Sequence, residues 1–264
     1  TIDGLTVTEI RKNITENGIT TLELSVKPEK YYDNYQLQEI EYQKDGSSMT
    51  YTTAVRIELQ FYKDIESFED WQKISTTDPE NYRLIADIDF SGKVNVNTGV
   101  VFNRLEGTDN GHILKNLEIK NNNSSVIFIN SIEKNLANVT FENIQQVTTR
   151  SGNTIAGIVG YNYGNINRVN FKNIKINAPN VSYVGCIARN YGTELMNLQL
   201  LEVEISGNSQ TGGLIGITED GTLTNVILED ITVKGNSNVG GMIGLVQNIL
   251  NRVNCRHSNI SGNN

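Results

Sequence analysis

The sequence predicts an all-β protein in which residues 63–264 form a right-handed parallel β-helix with about 28 residues per coil. Two repeating patterns support this prediction. The first is a set of Gly-apolar-apolar-Gly quartets that begin at residues 157, 213 and 241, with a degenerate copy beginning at residue 185. The four starting points are spaced 28 residues apart, so one structural unit recurs at constant length.

The second pattern is an apolar ladder in the same region. Its anchor positions, each with an apolar residue three places before and another two places after, are Leu117, Val139, Val169, Leu198, Val226 and Val253. In the middle coils, apolar residues also follow five and seven places after the anchor, as Ile174 and Ile176 do. Because alternation with period two indicates strands, each coil is predicted to hold a Gly-rich strand, an anchor strand and an Ile/Val strand. Three strands per repeat without helices between them are typical of a parallel β-solenoid.

Both cysteines are predicted to point into the core. Cys186 takes the repeat position of Leu214 and Met242, whereas Cys255 takes that of Leu228. Free cysteine behaves as a small apolar side chain and fits such positions. The two cysteines lie on different strands two coils apart, and coils stack at about 4.8 Å, so the pair is expected to be too distant for a disulfide.

A short capping helix is predicted at the start of the solenoid. Ser67 is a candidate N-cap, and the acidic residue Asp70 follows three positions later. Phe68, Trp71 and Ile74 would then share one face of the helix. We expect this face to cover the open end of the β-helix, which otherwise exposes apolar core and unpaired strand edges.

Residues 1–62 are predicted to form a separate small antiparallel β domain. Alternating strands are separated there by polar turns such as Asn17-Gly18 and Asp45-Gly46. The predicted strands are Thr6–Ile10, Thr20–Val26, Gln36–Tyr42 and Thr52–Phe61.

The charge balance restricts the partners that this chain can have. Lys and Arg total 22 against 30 Asp and Glu, which gives a net charge of −8 at pH 7. Nucleic acids and anionic membranes need a concentrated positive surface, so neither is expected as a partner. The sequence contains no apolar run long enough for a transmembrane helix, so no membrane span is predicted.

Three stretches resemble motifs of a known family. Residues 81–90 (NYRLIADIDF) resemble a Y-x-L-x-A-D-I-D entry strand, residues 107–117 (GTDNGHILKNL) resemble a Gly-rich turn, and residues 213–216 resemble the GLUG motif. Together they are similar to the non-catalytic β-helix region of the streptococcal immunoglobulin A protease family of zinc metallopeptidases. Residues 108–111 depart from the family's turn motif because they lack its Phe.

The resemblance implies a region of a secreted or cell-wall-attached protein of a Gram-positive bacterium. Such a region would be a scaffold that holds a host protein, the immunoglobulin A heavy chain, against the protein's own zinc-containing catalytic domain. Residues 260–264 repeat a strand entry that also occurs at residues 233–237, so we expect a longer protein. Two alternatives stay open: an adhesin-type surface module that binds host protein or glycan, and a carbohydrate-active β-helix.

No catalytic or metal-binding residues are predicted in this sequence. The zinc site of the family is an H-E-x-x-H helix, and this motif is absent. His112 and His257 are the only histidines, and neither has a partner at the spacing of zinc ligands. We therefore expect no cofactor here, and we interpret His112 as a structural residue of the Gly-rich turn.

A tyrosine ladder is the leading candidate for a ligand-binding surface. Tyr163 and Tyr191 stand in two Asn-Tyr-Gly segments 28 residues apart, and Tyr161 is close to the first. This spacing predicts stacked rings on neighbouring coils, and exposed aromatic rings bind peptide or sugar. The alternative is that the rings only stabilise a turn of the solenoid.

The alternative candidate site is an acidic ladder on the corner that follows the anchor strand. Glu202 and Asp230 are one period apart, and His257 is expected beside them in the next coil. Stacked carboxylates move each other's pKa, which acid–base chemistry on a polysaccharide can use. The other interpretation is an ordinary polar corner that begins as an asparagine ladder with Asn143 and Asn173.

Overall fold

The computed structural model describes residues 62–120, 126–149, 155–192, 194–219 and 221–247 with their side chains. Elsewhere it describes only the backbone of the strands named below. The chain divides into two compact units, Thr1–Phe61 and Tyr62–Asn264.

Two antiparallel hairpins form the described part of the first unit. β1 (Leu5–Glu16) pairs with β2 (Ile19–Pro28), and β3 (Gln36–Gln43) pairs with β4 (Thr50–Ile57). The alternating apolar residues of each segment favour these strands. The predicted strands coincide with these four in order, and residues 58–61 of the last predicted strand lie outside the described residues.

The second unit is a parallel β-solenoid of about 5 turns with about 28 residues per coil, which confirms the predicted fold class. It begins with β5 (Lys63–Ile65), α1 (Phe68–Trp71), β6 (Glu80–Leu84), β7 (Ile88–Asp89), β8 (Val100–Gly107), β9 (His112–Lys120) and β10 (Val126–Val147). The next two coils hold β11 (Gly152–Asn162), β12 (Asn165–Asn177), β13 (Val181–Val184), β14 (Ile187–Asn190) and β15 (Glu194–Ser206). The remaining strands are β16 (Ser209–Gly212), β17 (Ile215–Thr218), β18 (Gly221–Lys234), β19 (Ser237–Gly240), β20 (Ile243–Val246), β21 (Leu250–Asn251), β22 (Cys255–His257) and β23 (Ile260–Asn263).

The long strands bend at two corners where a residue other than glycine has positive φ. In β15 these corners are Asn197 (φ 55°) and Glu202 (φ 56°). The equivalent corners of β12 and β18 are Arg168, Asn173, Asn225 and Asp230. Asn and Asp visit the left-handed region at lower cost than most residues, which suits them to these corners. The predicted anchor and Ile/Val strands are therefore straight parts of one bent strand.

The sequence predicted that each Gly-rich quartet lies within one strand. In the later coils the quartets instead cross a bend between two strands. Gly185 and Cys186 separate β13 from β14, and Gly213 and Leu214 separate β16 from β17. The apolar residues of the quartets still point inward, because Leu214 and Ile215 are both fully buried.

The interior is a continuous apolar column, as the ladder predicts. The six residues expected to point inward on β15 and β18 are all buried: Leu195, Leu198, Leu200, Leu223, Val226 and Leu228. Aromatic rings run along the axis, with ring centroids 4.7 Å apart for Trp71 and Phe128 and 5.4 Å apart for Phe141 and Phe171. Burial of such side chains supplies the main stabilisation of the stack.

The predicted capping helix is present as the single turn α1. Ser67 is its N-cap, and its hydroxyl accepts a hydrogen bond of 3.2 Å from the Asp70 amide. Trp71 is fully buried and donates from its indole nitrogen to the Asn97 carbonyl at 2.9 Å. Phe68 packs beside it against the core, so the helix covers the first coils as expected.

The predicted register holds in the middle coils and is wrong at both ends. Leu117 lies opposite Ile144 and not Val139, because the turn between β8 and β9 inserts residues that the repeat does not contain. At the other end, Cys255 lies opposite Val226 and not Leu228. The last coil is therefore 255 − 226 = 29 residues long, whereas the anchor Val253 assumed 27. Cys186 is fully buried as predicted, and the side chain of Cys255 lies outside the described residues.

Candidate binding surface

The tyrosine ladder stands on two equivalent turns of neighbouring coils. Tyr163 directly follows β11 and Tyr191 directly follows β14. The Tyr163 amide donates to the Ile132 carbonyl at 2.8 Å, and the Tyr191 amide donates to the Asn162 carbonyl at 2.7 Å. Each turn is thus tied by its backbone to the coil before it, which fixes where the phenol ring leaves the chain.

A buried hydrogen-bond ladder lies directly beneath the two tyrosines. Asn162, Asn190 and Thr218 point inward at equivalent positions and are at most 1% exposed. The side-chain amide of Asn162 donates from Nδ2 to Asn190 Oδ1 at 2.7 Å, and the side-chain amide of Asn190 donates from Nδ2 to Thr218 Oγ1 at 3.0 Å. The same two amides close the tyrosine turns, because they also donate to the carbonyls of Gly164 at 2.9 Å and Gly192 at 3.2 Å. The ladder therefore positions both rings.

The glycine of each Asn-Tyr-Gly segment is required by close packing between coils. A Cβ atom on Gly164 would overlap the backbone of Lys134, and one on Gly192 would overlap the Gly164 carbonyl. No larger residue fits at either position without moving a neighbouring coil. The three-residue segment thus has an inward donor, an outward ring and a contact point for the preceding coil.

The three predicted tyrosines are brought together with parallel rings. Tyr163 and Tyr191 have ring centroids 5.2 Å apart and planes 8° from parallel, so the predicted stacking on neighbouring coils is confirmed. Tyr161 lies 6.3 Å from Tyr163 with an interplanar angle of 10°. Tyr163 is 48% exposed, which is unusual for so large an apolar ring. Their role in binding a ligand stays a prediction.

Two members of this cluster, Arg189 and Tyr183, were not predicted from the sequence. The guanidinium carbon of Arg189 lies 4.9 Å from the ring centroid of Tyr183, 5.2 Å from that of Tyr191 and 6.0 Å from that of Tyr161. Arg189 is paired with Tyr161 across neighbouring coils. That 28-residue relation was present in the sequence and could have indicated the contact. We call Tyr161, Tyr163, Tyr183, Arg189 and Tyr191 the tyrosine–arginine cluster.

Two carboxylates stand at the ends of the column that contains Tyr163 and Tyr191. Ile132 pairs with Asn162, so the next residue, Glu133, takes the position of Tyr163 in the preceding coil. The Glu219 backbone N–H donates to the Asn190 carbonyl at 3.1 Å, so Glu219 takes the position of Tyr191 in the following coil. Burial raises the pKa of Tyr163, and the Glu133 carboxylate adds to this shift. Burial also raises the pKa of Tyr191, where Arg189 opposes the shift and Glu219 adds to it. Both phenols therefore stay neutral hydrogen-bond donors near pH 7.

The acidic ladder is only partly as predicted. Glu202 and Asp230 line one open cleft of about 480 Å³ together with Asn173, Lys175, Glu204 and Thr232. His257 is not beside Asp230, because it lies opposite Leu228 and because Ile260 is the partner of Ile231. The 29-residue length of the last coil shifts His257 by two positions from its predicted place beside Asp230.

The earlier part of the same corner is an asparagine hydrogen-bond ladder. Asn173 donates to Asn143 at 2.8 Å, Asn143 donates to Asn116 at 3.0 Å, and Asn116 donates to Asp89 at 2.9 Å. Lys175 pairs with Glu204 at 2.9 Å, which balances one of the carboxylates in the cleft. These contacts favour the interpretation of a polar corner that stabilises the coils.

Metal-ligating residues are dispersed in the described part of the chain. No group of three or more His, Cys, Asp or Glu side chains there could hold a metal ion. His112 is the first residue of β9, directly after the Gly-rich turn, with its Nε2 atom 2.8 Å from Thr108 Oγ1 and its Nδ1 atom 3.4 Å from Asp87 Oδ1. In the same residues, no helix is long and apolar enough to cross a membrane.

Comparison with protein-family models, with curated proteins and with solved structures finds no match to this chain.

Proposed function

We propose that this chain is the non-catalytic scaffold and recognition region of a secreted or cell-wall-attached bacterial metalloprotease that acts on immunoglobulin. Its partners are then the immunoglobulin A heavy chain and a zinc-containing catalytic domain elsewhere in the same protein. The observation that carries the proposal is the stacking of the exposed Tyr163 on the half-buried Tyr191, on turns fixed by buried hydrogen bonds. The family resemblance of residues 81–90, 107–117 and 213–216 supplies the protease and its substrate.

The solenoid offers a partner its outward-facing side chains, on the strands and at the corners. Inward side chains are committed to the core, and the backbone groups of β12, β15 and β18 are paired with neighbouring coils. Tyrosine supplies a large contact area with only two side-chain torsions to order, so it is common in binding surfaces. A ring that is already held in a stack loses even less freedom when a partner binds.

Binding of immunoglobulin A to the immobilised 264-residue chain tests the proposal. Replacing Tyr163 and Tyr191 together by Ser is expected to weaken binding at least tenfold, which is the usual effect of removing central aromatic contacts. Val94→Ser is the matched control, because Val94 is 76% exposed and lies outside the cluster. Equal binding by the double variant and the control would remove the tyrosines from the interface, and no binding by the unmodified chain would refute the immunoglobulin partner.

The proposal also predicts the behaviour of the isolated chain in two assays. The chain alone is expected to leave immunoglobulin A uncleaved and to retain no zinc after dialysis, because the catalytic domain lies elsewhere. Cleavage that requires stoichiometric zinc would contradict the proposal. Binding to glycans or to host proteins other than immunoglobulin would favour the adhesin-type module instead.

A carbohydrate-active β-helix is a second candidate, favoured by the cleft that holds Glu202 and Asp230. Exposed carboxylates on adjacent coils are the groups that acid–base cleavage of a polysaccharide requires. Release of reducing ends from acidic or neutral polysaccharides, lost in Glu202→Gln and in Asp230→Asn, would establish it. Absence of any such release would leave the cleft as a structural corner.

A further inference from the structure

Arg189 is a cation without a counterion in the described part of an acidic chain. Its Nε atom is buried and has no hydrogen-bond partner among the described residues. None of the described carboxylates forms an ion pair with its guanidinium group. The rings of Tyr161, Tyr183 and Tyr191 hold the group in place through cation–π contacts. A guanidinium group that is fixed by rings and lacks an acid partner is preorganised to bind an anion.

The tyrosine rings around Arg189 are stacked on one another, and Tyr163 is the exposed member of the stack. Tyr161, Tyr163 and Tyr191 are within 10° of parallel to their stacked neighbours, so much of their ring faces is turned toward other rings. What remains accessible is chiefly ring edges, which carry partial positive charge, and hydroxyl groups, which donate hydrogen bonds. Both features complement a negatively charged ligand group more than the apolar face of a sugar.

The ends of the column limit the size of that ligand group. Glu133 stands before Tyr163 and Glu219 stands after Tyr191, so a polyanion that extended along the column would meet a like charge at each end. Three coil spacings separate the two acids, which is about 14 Å. The column therefore accommodates one anionic group between two carboxylates. Basic groups on either side of the anion would meet complementary charge.

We propose that the tyrosine–arginine cluster binds the carboxylate of a single Asp or Glu side chain on a partner protein, with Arg189 as its ion-pair partner and the Tyr163 and Tyr191 hydroxyls as additional donors. This assignment rests on the proposed recognition function and names the chemistry of the partner segment. A planar guanidinium group binds a carboxylate through two parallel hydrogen bonds, which fixes both distance and orientation. The flanking Glu133 and Glu219 favour a segment in which basic residues surround the acid.

A titration of the whole ¹⁵N-labelled chain with capped tripeptides tests the assignment. The probes are Ala-Glu-Ala and Ala-Gln-Ala, and the signal followed is the Nε–H resonance of Arg189, identified by its loss in Arg189→Gln. The glutamate peptide is expected to shift this resonance, and the glutamine peptide is expected to leave it unchanged. A second readout is the set of tyrosine ring resonances, which should lose their response to the glutamate peptide in Arg189→Gln.

Variants separate the role of Arg189 from a general effect of charge. Arg189→Gln is expected to weaken binding of the glutamate peptide at least tenfold, and Arg189→Lys to weaken it less, because Lys keeps the charge and loses the planar fork. Arg168→Gln is the matched control, since Arg168 is an exposed arginine at a corner of β12. Melting temperatures establish that each variant is folded. Equal shifts with both peptides, or equal weakening by Arg168→Gln, would overturn the assignment.

Two further outcomes distinguish the carboxylate assignment from the proposed function. N-acetylneuraminic acid carries the same carboxylate on a sugar, and tighter binding of this acid than of the glutamate peptide would replace the protein partner by an acidic glycan. Binding of immunoglobulin A that is lost in the double tyrosine variant but unchanged in Arg189→Gln would refute the carboxylate contact alone. Binding of the glutamate peptide without binding of immunoglobulin A would instead refute the immunoglobulin partner alone.

Discussion

Asn162 donates a hydrogen bond of 2.7 Å to Asn190 from the neighbouring coil, and both side chains are buried beneath the rings of Tyr163 and Tyr191. The same Asn162 amide donates to the Gly164 carbonyl at 2.9 Å and so closes the turn that carries Tyr163. One buried contact therefore links stability of the stack to the geometry of the proposed binding surface.

Asn190→Ala is expected to destabilise the solenoid by about 2 kcal/mol, because it leaves buried donors and acceptors of Asn162 and Thr218 without this partner. Urea denaturation followed by circular dichroism measures the change. Asn170→Ala is the control, because Asn170 is half-buried and makes one hydrogen bond of 3.2 Å to Thr140. Its expected cost is below about 1 kcal/mol. Equal costs for the two variants would contradict a special role for the buried ladder.

Acidification is expected to loosen the capping helix before the solenoid unfolds. Hydrogen bonds from Ser67 and Lys73 lower the pKa of Asp70 to about 2 from its usual 3.8. A carboxyl group whose pKa is lower in the folded state stabilises the fold above its unfolded pKa, and this contribution is lost as the pH falls through the folded value. The window is therefore pH 3.8 down to about 2.

Trp71 reports this transition, since it is the chain's single tryptophan and the last residue of α1. Its emission is expected to shift to longer wavelength between pH 3.8 and about 2 in the unmodified chain. Asp70→Asn should remove that pH dependence, whereas Asp78→Asn, an exposed acid in the next loop, should keep it. An identical titration curve for all three proteins would show that Asp70 does not hold the helix.

The sequence predicted the middle coils well because their pattern and their geometry have the same period. Leu195, Leu223 and their neighbours repeat at nearly constant spacing, and each is paired with its equivalent in the next coil. At the ends, insertions break that relation: the turn after Gly107 moved Leu117 out of register, and the 29-residue last coil moved Cys255 and His257. A periodic pattern cannot locate an insertion when the apolar residues that follow it, here Leu114 and Leu117, fit the repeat in more than one register.

The candidate surface was predicted only in part for a different reason. Tyr163 and Tyr191 repeat at the same position of the coil, so the period alone predicts their stacking. Arg189 and Tyr183 are not equivalent positions, and they meet because the bend at Gly185 and Cys186 brings β13 and β14 together. That bend was predicted as part of a straight strand, so the contact could not be derived from the spacing.

Cys186 is expected to resist alkylation in the folded chain and to react once the solenoid opens. It is fully buried, and burial raises the pKa of its thiol well above the usual range, which suppresses the reactive thiolate. The measurement is modification by iodoacetamide in a Cys255→Ser background, where Cys186 is the one remaining thiol. The reaction rate should rise across the urea unfolding transition. Rapid alkylation in native buffer would place Cys186 outside the core.

Val226→Asp is expected to unfold several coils and to lower stability by more than about 4 kcal/mol, because it places an unpaired charge in the apolar column. Val226 is fully buried between Leu198 and the following coil, so each neighbour in the stack loses a packing partner. Thr224→Asp is the matched control, since Thr224 is exposed on the same strand β18 and should change stability by less than about 0.5 kcal/mol. Circular dichroism and the melting temperature measure both variants. In a one-dimensional stack the effect should extend to adjacent coils, so Cys186 should become reactive in Val226→Asp and stay protected in Thr224→Asp. Similar melting temperatures for the two variants would show that Val226 does not face the core.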